Sequence, residues 1–287
     1  MTIVDTHTHV ISPDTARYPT DPIGGRQSTW SQAHPVDADG LIQALDQAEI
    51  TKAVVVQAST VYGHDNRYLS DSVRAHPDRF VGVYSIDATA PDAVEKIQHW
   101  QGAGLRGFRL FTTGTTLPGQ ADWLGHEGSH PAWAYAEQHG IPVCLQMTMA
   151  GLGTLRGLLE RFPRVRVLLD HCARPDLSDG APYRTAHQLF EIAEFPGVHL
   201  KLTHRALAAA SDGASRPADF VEQVVAAYGA DRITWGSNFP AVDGSLSAQL
   251  AAVRSALATL DDEQRRLILG GTAESLYSMT IAAGEPS

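Results

Sequence analysis

Cysteine is scarce: the 287-residue chain carries two, Cys144 and Cys172. That excludes a disulfide framework, and no CxxC pair is present to hold a metal through thiolates. No apolar run approaches the roughly 20 residues that a membrane-spanning helix needs. The opening MTIVDTHTHV also lacks the basic segment and long apolar stretch of a secretion signal. A cytoplasmic protein with no membrane partner is the expectation. Runs of Lys and Arg are missing as well. With 22 Lys+Arg against 32 Asp+Glu the formal charge is −10, which argues against a nucleic-acid surface. A small anionic ligand stays compatible with that charge, because a local cationic pocket can sit in an acidic protein. Hydrophobic residues make up 43% and charged residues 19%, an ordinary core-forming composition. What is plentiful is histidine: 13 occur, more than the core of such a chain requires.

Short β-rich runs alternate with helical stretches from end to end. Strands are predicted over residues 3–7, 53–57, 80–86, 105–110, 142–146, 165–170, 198–202 and 233–236. Helices are predicted over 38–48, 66–75, 92–100, 131–138, 154–161, 183–194, 217–227 and 247–257, with a further short one over 263–269. Asp37 or Asp39 can cap the first helix. Gly140 and Gly229 fall just past helix ends, where a left-handed residue is needed. Strict strand–helix alternation implies parallel strands joined by crossovers, and eight units close a barrel. An open doubly wound sheet would usually carry a Gly-rich phosphate loop after its first strand, and here that strand ends in His-Thr-His. The fold class is therefore α/β, a (β/α)8 TIM barrel. With no linker and no repeat, one domain over residues 1–279 is expected, followed by a C-terminal tail over 280–287.

Two strand-to-helix loops are long, residues 10–36 and 111–130, and both leave the strand ends at which barrel enzymes keep their sites. Trp30 and Trp123 within them are candidates for lid or pocket residues, or for anchors of loop packing.

The strongest chemical signal is Asp5-Thr6-His7-Thr8-His9 at the end of the first strand. Period-two alternation puts Asp5, His7 and His9 on one face and Val4 and Thr6 on the other. Val4 suits the helix-facing side, so the histidines are expected to point toward the barrel axis. There they could chelate a metal or polarise a substrate. On the sixth strand, the same alternation groups Val165, Val167 and Leu169 with His171. Gln57, Arg109, Gln146, Lys201 and Asn238 each close an apolar strand run, which predicts a polar, cationic pocket. Arg109, Arg174 and Lys201 would be costly inside a barrel unless they meet carboxylates, either Asp5, Asp170 or Asp243 or those of a ligand. Arginine suits bidentate carboxylate recognition. Cys144 and Cys172 read as small buried hydrophobes, and His204 closes the seventh strand.

Taken in order, Asp5-Thr6-His7-Thr8-His9, Val56-Gln57 with Tyr62-Gly63-His64-Asp65-Asn66, Leu105-Arg106-Gly107-Phe108-Arg109, Leu169-Asp170-His171 with Arg174-Pro175, Lys201-Leu202 and Trp235-Gly236-Ser237-Asn238-Phe239-Pro240 resemble one family. It is the amidohydrolase-2 family of the amidohydrolase superfamily. The nearest likeness is to its lactonase branch, which includes 2-pyrone-4,6-dicarboxylate lactonase, 4-sulfomuconolactonase and the sugar-acid lactonases. The resemblance runs from about Thr2 to Tyr277. It implies a TIM barrel that hydrolyses a lactone or similar cyclic ester of an anionic small molecule, with water attacking a carbonyl polarised by His, Lys or Arg. His7, His9, His171 and Asn238 are the implied catalytic positions. Gln57, Tyr62, Arg109, Gln146, Arg174, Lys201 and His204 are the candidates for substrate binding. Arg174 matches a substrate-carboxylate arginine of the pyrone dicarboxylate lactonase.

Two positions depart from the metal-dependent pattern: Gln146 stands where those enzymes have a metal-binding histidine, and Asn238 stands where the family has an aspartate that takes a proton from water. No cofactor is therefore expected to be required. Zinc, if bound, would sit weakly or adventitiously on His7, His9 and His171. The base must then be His171, His9 or Asp243. A metal-dependent decarboxylase of the same superfamily, and a binding protein that lost catalysis with the eighth-strand aspartate, are the competing readings. A homo-oligomer is compatible with all three.

Overall fold

The computed structural model describes residues 2–279, so the expected tail over 280–287 lies outside the described residues. Eight strands are present among the described residues: β1 Val4–Thr8, β2 Lys52–Val56, β3 Phe80–Ser85, β4 Gly107–Phe111, β5 Val143–Gln146, β6 Val167–Leu169, β7 Val198–Thr203 and β8 Ile233–Gly236. Consecutive strands pair in parallel in chain order. Every strand after the first is reached by a helical crossover, the only compact way to join parallel neighbours. The fold is a single (β/α)8 TIM barrel.

Local sequence explains the crossovers. The Asp37 side chain accepts from the Gly40 backbone N–H (2.8 Å) and starts the helix Ala38–Gln47. Gly140 ends the helix His130–His139 in the left-handed conformation at φ 62°. The segment expected as one helix over 183–194 is instead broken into the turn Arg184–Ala186, the helix His187–Glu191 and the turn Ile192–Glu194. Short helices Ser59–Tyr62, His204–Ala209 and Thr272–Leu276 were not legible from periodicity, since none spans two full turns.

The seam between β8 and β1 is held by few backbone bonds, made at its C-terminal end: Asn238 N–H to the His7 carbonyl (2.8 Å) and His9 N–H to the Phe239 carbonyl (2.9 Å). Lower down, side chains do the joining. Thr6 Oγ1 donates to the Trp235 carbonyl at 2.6 Å, and Asp5 accepts from the Ser237 N–H at 2.8 Å. Gly236 is what allows the approach, because a Cβ there would lie 2.7 Å from the His7 Cβ.

Inside the barrel, Val4, Val54, Val56, Val83, Cys144 and Leu168 pack together. Side chains from strands that are not neighbours can meet in this way only across the interior. The helix Thr272–Leu276 and Tyr277 close the base, and the missing side chain of Gly107 leaves room for the Tyr277 ring, whose Cε1 would lie 3.4 Å from a Cβ there. Ala53, Val55, Leu145, Val167, Leu169 and Trp235 belong to the outer cluster that covers the sheet with helices.

This layering corrects two parity arguments. Val4 faces the interior rather than the helices, yet His7 and His9 also point inward. The register explains it: Asp5 pairs with Ala53 but Thr8 with Val55, so three steps of β1 run against two of β2. That β-bulge re-aims the strand end, a common device beside active sites. On β6, Val167 and Leu169 face outward and Leu168 inward. Asp170, not His171, continues the interior parity. His171 reaches the site because the strand ends at Leu169 and the backbone turns left-handed, with φ of 57°, 53°, 58° and 54° at His171, Cys172, Ala173 and Arg174. Four consecutive left-handed non-glycine residues cost of order 1–2 kcal/mol each, and such strain gathers at functional sites.

Candidate active site

The C-terminal ends of the strands surround a cavity lined by His9, Trp30, Ser59, Thr60, Arg109, Phe111, Thr115, Gln146, His171, Arg174, Arg205 and Asn238, among others. His7 lies directly behind it, fully buried, with its ring centroid 5.0 Å from that of His9 and 4.9 Å from that of His171. The three imidazoles that the sequence singles out are therefore one cluster. Trp30 stacks on His9 at 5.3 Å and forms part of the wall, whereas Trp123 packs against the helix layer.

Orientation follows from hydrogen bonds. His9 Nδ1 lies 2.8 Å from the Val56 carbonyl oxygen. A carbonyl only accepts, so Nδ1 carries the proton and neutral His9 has its lone pair on Nε2. His171 Nδ1 is 2.8 Å from Thr203 Oγ1, at the end of β7. Burial pushes the His7 pKa down to about 4 against the opposing pull of Asp170. Burial, then the neighbouring His7, holds both His9 and His171 well below the usual imidazole range. All three rings are neutral near pH 7, ready to accept or share a proton but not to carry a charge.

Beneath the cavity lies a closed ionic cluster. Asp170 Oδ1 is 3.1 Å from Lys201 Nζ and 3.5 Å from His7 Nδ1, and Asp170 Oδ2 accepts from Arg109 Nε at 2.9 Å. Burial would raise the Asp170 pKa, but Lys201, then His7 and Arg109, hold it well below the usual carboxylate range. Arg109 also donates through Nη2 to Gln146 Oε1. Lys201 Nζ reaches Cys144 Sγ at 3.4 Å, and that sulfur lies 3.4 Å from the Tyr277 hydroxyl. Cys172 donates to the Lys201 carbonyl, at 3.5 Å.

Not every expected residue reaches the cavity. Lys201 sits one layer lower and is fully buried beneath it. Gln57 follows the inward-facing Val56 and turns away, donating to the Asp65 carbonyl at 2.7 Å. Tyr62 OH accepts from the Ser12 N–H (2.8 Å) and pins the first long loop. His204 opens the helix His204–Ala209 and faces a separate groove beside Leu207 and Arg216. The next residue, Arg205, lines the cavity instead, since successive helical side chains diverge by about 100°. Only the short helix after β7, invisible in the sequence pattern, could have pointed to Arg205. Asp243 is exposed and lies 3.6 Å from His34, away from the cavity.

Two of the guanidiniums differ from Arg109 in having no carboxylate. Arg174 Nε is buried without a hydrogen-bond partner, and neither Arg174 nor Arg205 forms an ion pair among the described residues. Burial, then the nearby Arg205 and Arg109, pushes the Arg174 pKa down to about 10.

Among the described residues no three His, Cys, Asp or Glu side chains are placed to hold a metal ion. The Gln146 oxygen is occupied by Arg109, and both Asp170 oxygens face cations. A neutral amide at Asn238 adds no charge to attract an ion.

Comparison with known proteins agrees with the architecture. The Amidohydro_2 family, described as "Amidohydrolase", matches residues 4–279. The chain is 26% identical over 249 residues to L-fucono-1,5-lactonase of Burkholderia ambifaria, covering 84% of each chain. It is also 26% identical over 298 residues to L-fucono-1,5-lactonase of Burkholderia multivorans, covering 96% of each. Among solved structures, an amidohydrolase from Burkholderia multivorans with bound zinc superposes with a TM-score of 0.78 at 21% identity, covering 98% of this chain and 100% of that one.

Proposed function

This chain belongs to the amidohydrolase family matched over residues 4–279, and on that premise we propose that it is a hydrolase that opens the lactone ring of an anionic small molecule without a metal. The observation that carries the proposal is the cavity itself. His9, whose tautomer leaves Nε2 unprotonated, lines it together with two guanidiniums that form no ion pair among the described residues. The two fuconolactonases named above support the reaction class.

The residues divide the work. Arg174 and Arg205 take the substrate carboxylate, a charge-assisted interaction strengthened by the partly dry site. Water is activated by a neutral imidazole. His9 is the base, because its tautomer leaves Nε2 free, and His171 shares the proton relay through Thr203. His7 supports both rings from behind. Hydrogen-bond donors around the cavity polarise the carbonyl, and a lactone is reactive enough for such donors to suffice. As water adds, the acyl carbon becomes tetrahedral. The ring C–O bond then breaks, and the proton held by the imidazole passes to the leaving alkoxide, giving a hydroxy acid.

The test is a panel of γ- and δ-lactones, with and without a ring carboxylate, assayed for acid release by the metal-analysed enzyme before and after exhaustive chelation. Turnover of carboxylated lactones that survives chelation is expected. Stoichiometric metal, with activity that vanishes on removal and returns with zinc or manganese, overturns metal independence. Chelator-sensitive CO₂ release from an aromatic acid would favour the decarboxylase reading, and ligand binding without turnover would favour a binding protein.

A further inference from the structure

We propose that Arg109 is the oxyanion donor of this site and that Gln146 is the residue that positions it. The assignment rests on the lactone-opening reading and sharpens it. Three arginines line the cavity, and they are built differently. Arg174 and Arg205 have no carboxylate partner, which suits a ligand that arrives with its own charge. Arg109 is pinned. Its Nε donates to Asp170 Oδ2 at 2.9 Å, Nη2 donates to Gln146 Oε1, and its guanidinium carbon lies 5.4 Å from the Phe111 ring centroid. Two edges of the planar fork are thus fixed, and the side chain is almost wholly buried on an inward-facing position of β4. The Nη1 edge makes no hydrogen bond among the described residues while the side chain borders the cavity shared with His9 and His171.

A donor that is already oriented and desolvated stabilises charge that develops during reaction, and it costs no reorganisation when that charge appears. A donor that relies on the ligand for its ground-state neutralisation cannot do this as well. Asp170 supplies that neutralisation from below. Asp170 also faces Lys201, so neither buried cation relies on the ligand for its counter-charge. Gln146 stands at the position that the resemblance marks as unlike metal-dependent enzymes. In this chain its oxygen holds the guanidinium, so a fixed organic cation replaces the electrophile.

The step balances simply. Water adds to the lactone carbonyl, its proton goes to the imidazole, and the carbonyl π pair moves onto oxygen opposite the free Arg109 edge. Collapse of that oxyanion expels the ring oxygen, which regains the proton.

The experiment compares Arg109→Gln and Arg109→Lys with Gln146→Leu and Gln146→Glu, using the lactone that the wild type turns over. Arg109→Gln should lower kcat by about 10²–10³, with KM changed less than about threefold. Gln146→Leu should lower kcat by about tenfold, and Gln146→Glu, which keeps an acceptor for the guanidinium, should recover most of that loss. A rise in KM with unchanged kcat would overturn the assignment and make Arg109 a ground-state carboxylate binder. Equal losses in Gln146→Leu and Gln146→Glu would remove the positioning role.

A second measurement separates this assignment from the function reading and does not depend on turnover. The six-membered cyclic phosphonate 2-hydroxy-1,2-oxaphosphinane 2-oxide carries an oxyanion on a tetrahedral centre, and δ-valerolactam carries a neutral planar carbonyl. Calorimetric affinity for the phosphonate should exceed that for the lactam at least tenfold in the wild type. That preference should disappear in Arg109→Gln and persist in Arg174→Gln. A preference that survives Arg109→Gln, or is absent from the wild type, overturns the proposal. Loss of every lactonase activity with the preference intact would instead sink the function reading alone.

Discussion

The cations that share Asp170 and those that have no carboxylate obey opposite rules. Lys201 and Arg109 share Asp170 in the barrel interior, where each charge is desolvated and each has a fixed partner. Arg174 and Arg205 sit at the mouth, half-buried and exposed respectively, with no carboxylate partner. The lower cluster is built into the folded state, and breaking it should cost stability. The upper pair is incomplete until an anion arrives, and breaking it should cost binding. Residue type alone does not distinguish them; burial and partners do.

The sharpest way to break the comparison is Asp170→Asn. It removes the carboxylate that two buried cations share, and the expected loss is about 3–5 kcal/mol of stability. That corresponds to a fall in melting temperature on the order of 10 °C. Chemical denaturation of the variant against wild type measures it, and an unchanged midpoint would show that the cluster contributes nothing to folding.

Acid should separate the regions next. His7, at about 4 in the folded state, binds its proton more weakly than an unfolded imidazole near 6.5. Its contribution is therefore complete above pH 6.5 and is lost as pH falls toward 4, on the order of 3 kcal/mol. His9 and His171 shift in the same direction. Asp5 works the other way, since burial raises it to about 6 and its proton is held more tightly in the fold between about 6 and 3.8. Three imidazoles outweigh one carboxyl, so the urea midpoint should fall steadily from pH 7 to pH 5. A midpoint that holds or rises over that range contradicts the neutral histidine cluster.

At the rim the effect moves from stability to specificity. Arg174→Gln should lose about 1.5–3 kcal/mol of charge-assisted binding. On a carboxylated lactone that is roughly ten- to a hundredfold in kcat/KM, with a melting temperature near wild type. If the variant treats carboxylated and neutral lactones as the wild type does, the anionic substrate class is wrong.

Arg205→Gln should be the mildest change. Arg205 is exposed, water screens its charge, and a loss of a few-fold in the same ratio is expected. A larger loss than that of Arg174→Gln would reverse the assigned roles of the two guanidiniums.

The barrel was readable because it is written in local terms. Apolar runs of strand length alternate with amphipathic segments, and parallel strands need crossovers, so order and closure follow from the chain alone. The histidine triad was readable for a related reason: its members stand at the C-terminal ends of apolar strand runs, the end at which barrel enzymes keep their sites. Yet the parity that seemed to aim them was wrong twice. Counting residues by twos assumes an unbroken strand, whereas β1 carries a bulge between Asp5 and Thr8 and β6 stops at Leu169 before a left-handed turn. No hydrophobic periodicity records a bulge or the residue at which a strand stops.

By itself, then, the sequence determined the kind of fold, the end at which chemistry gathers, and the three imidazoles that gather there. Only the tertiary structure decided how the charges are apportioned. Asp170 lies 31 residues from Lys201 and 61 from Arg109 along the chain, and the curvature of the sheet brings all three together. It places Lys201 a layer too low to meet a ligand, turns Gln57 and His204 away, and brings Arg205 in from a helix too short to announce itself. Charge at a strand end is a local property. Whether that charge is neutralised depends on side chains that meet across the barrel axis.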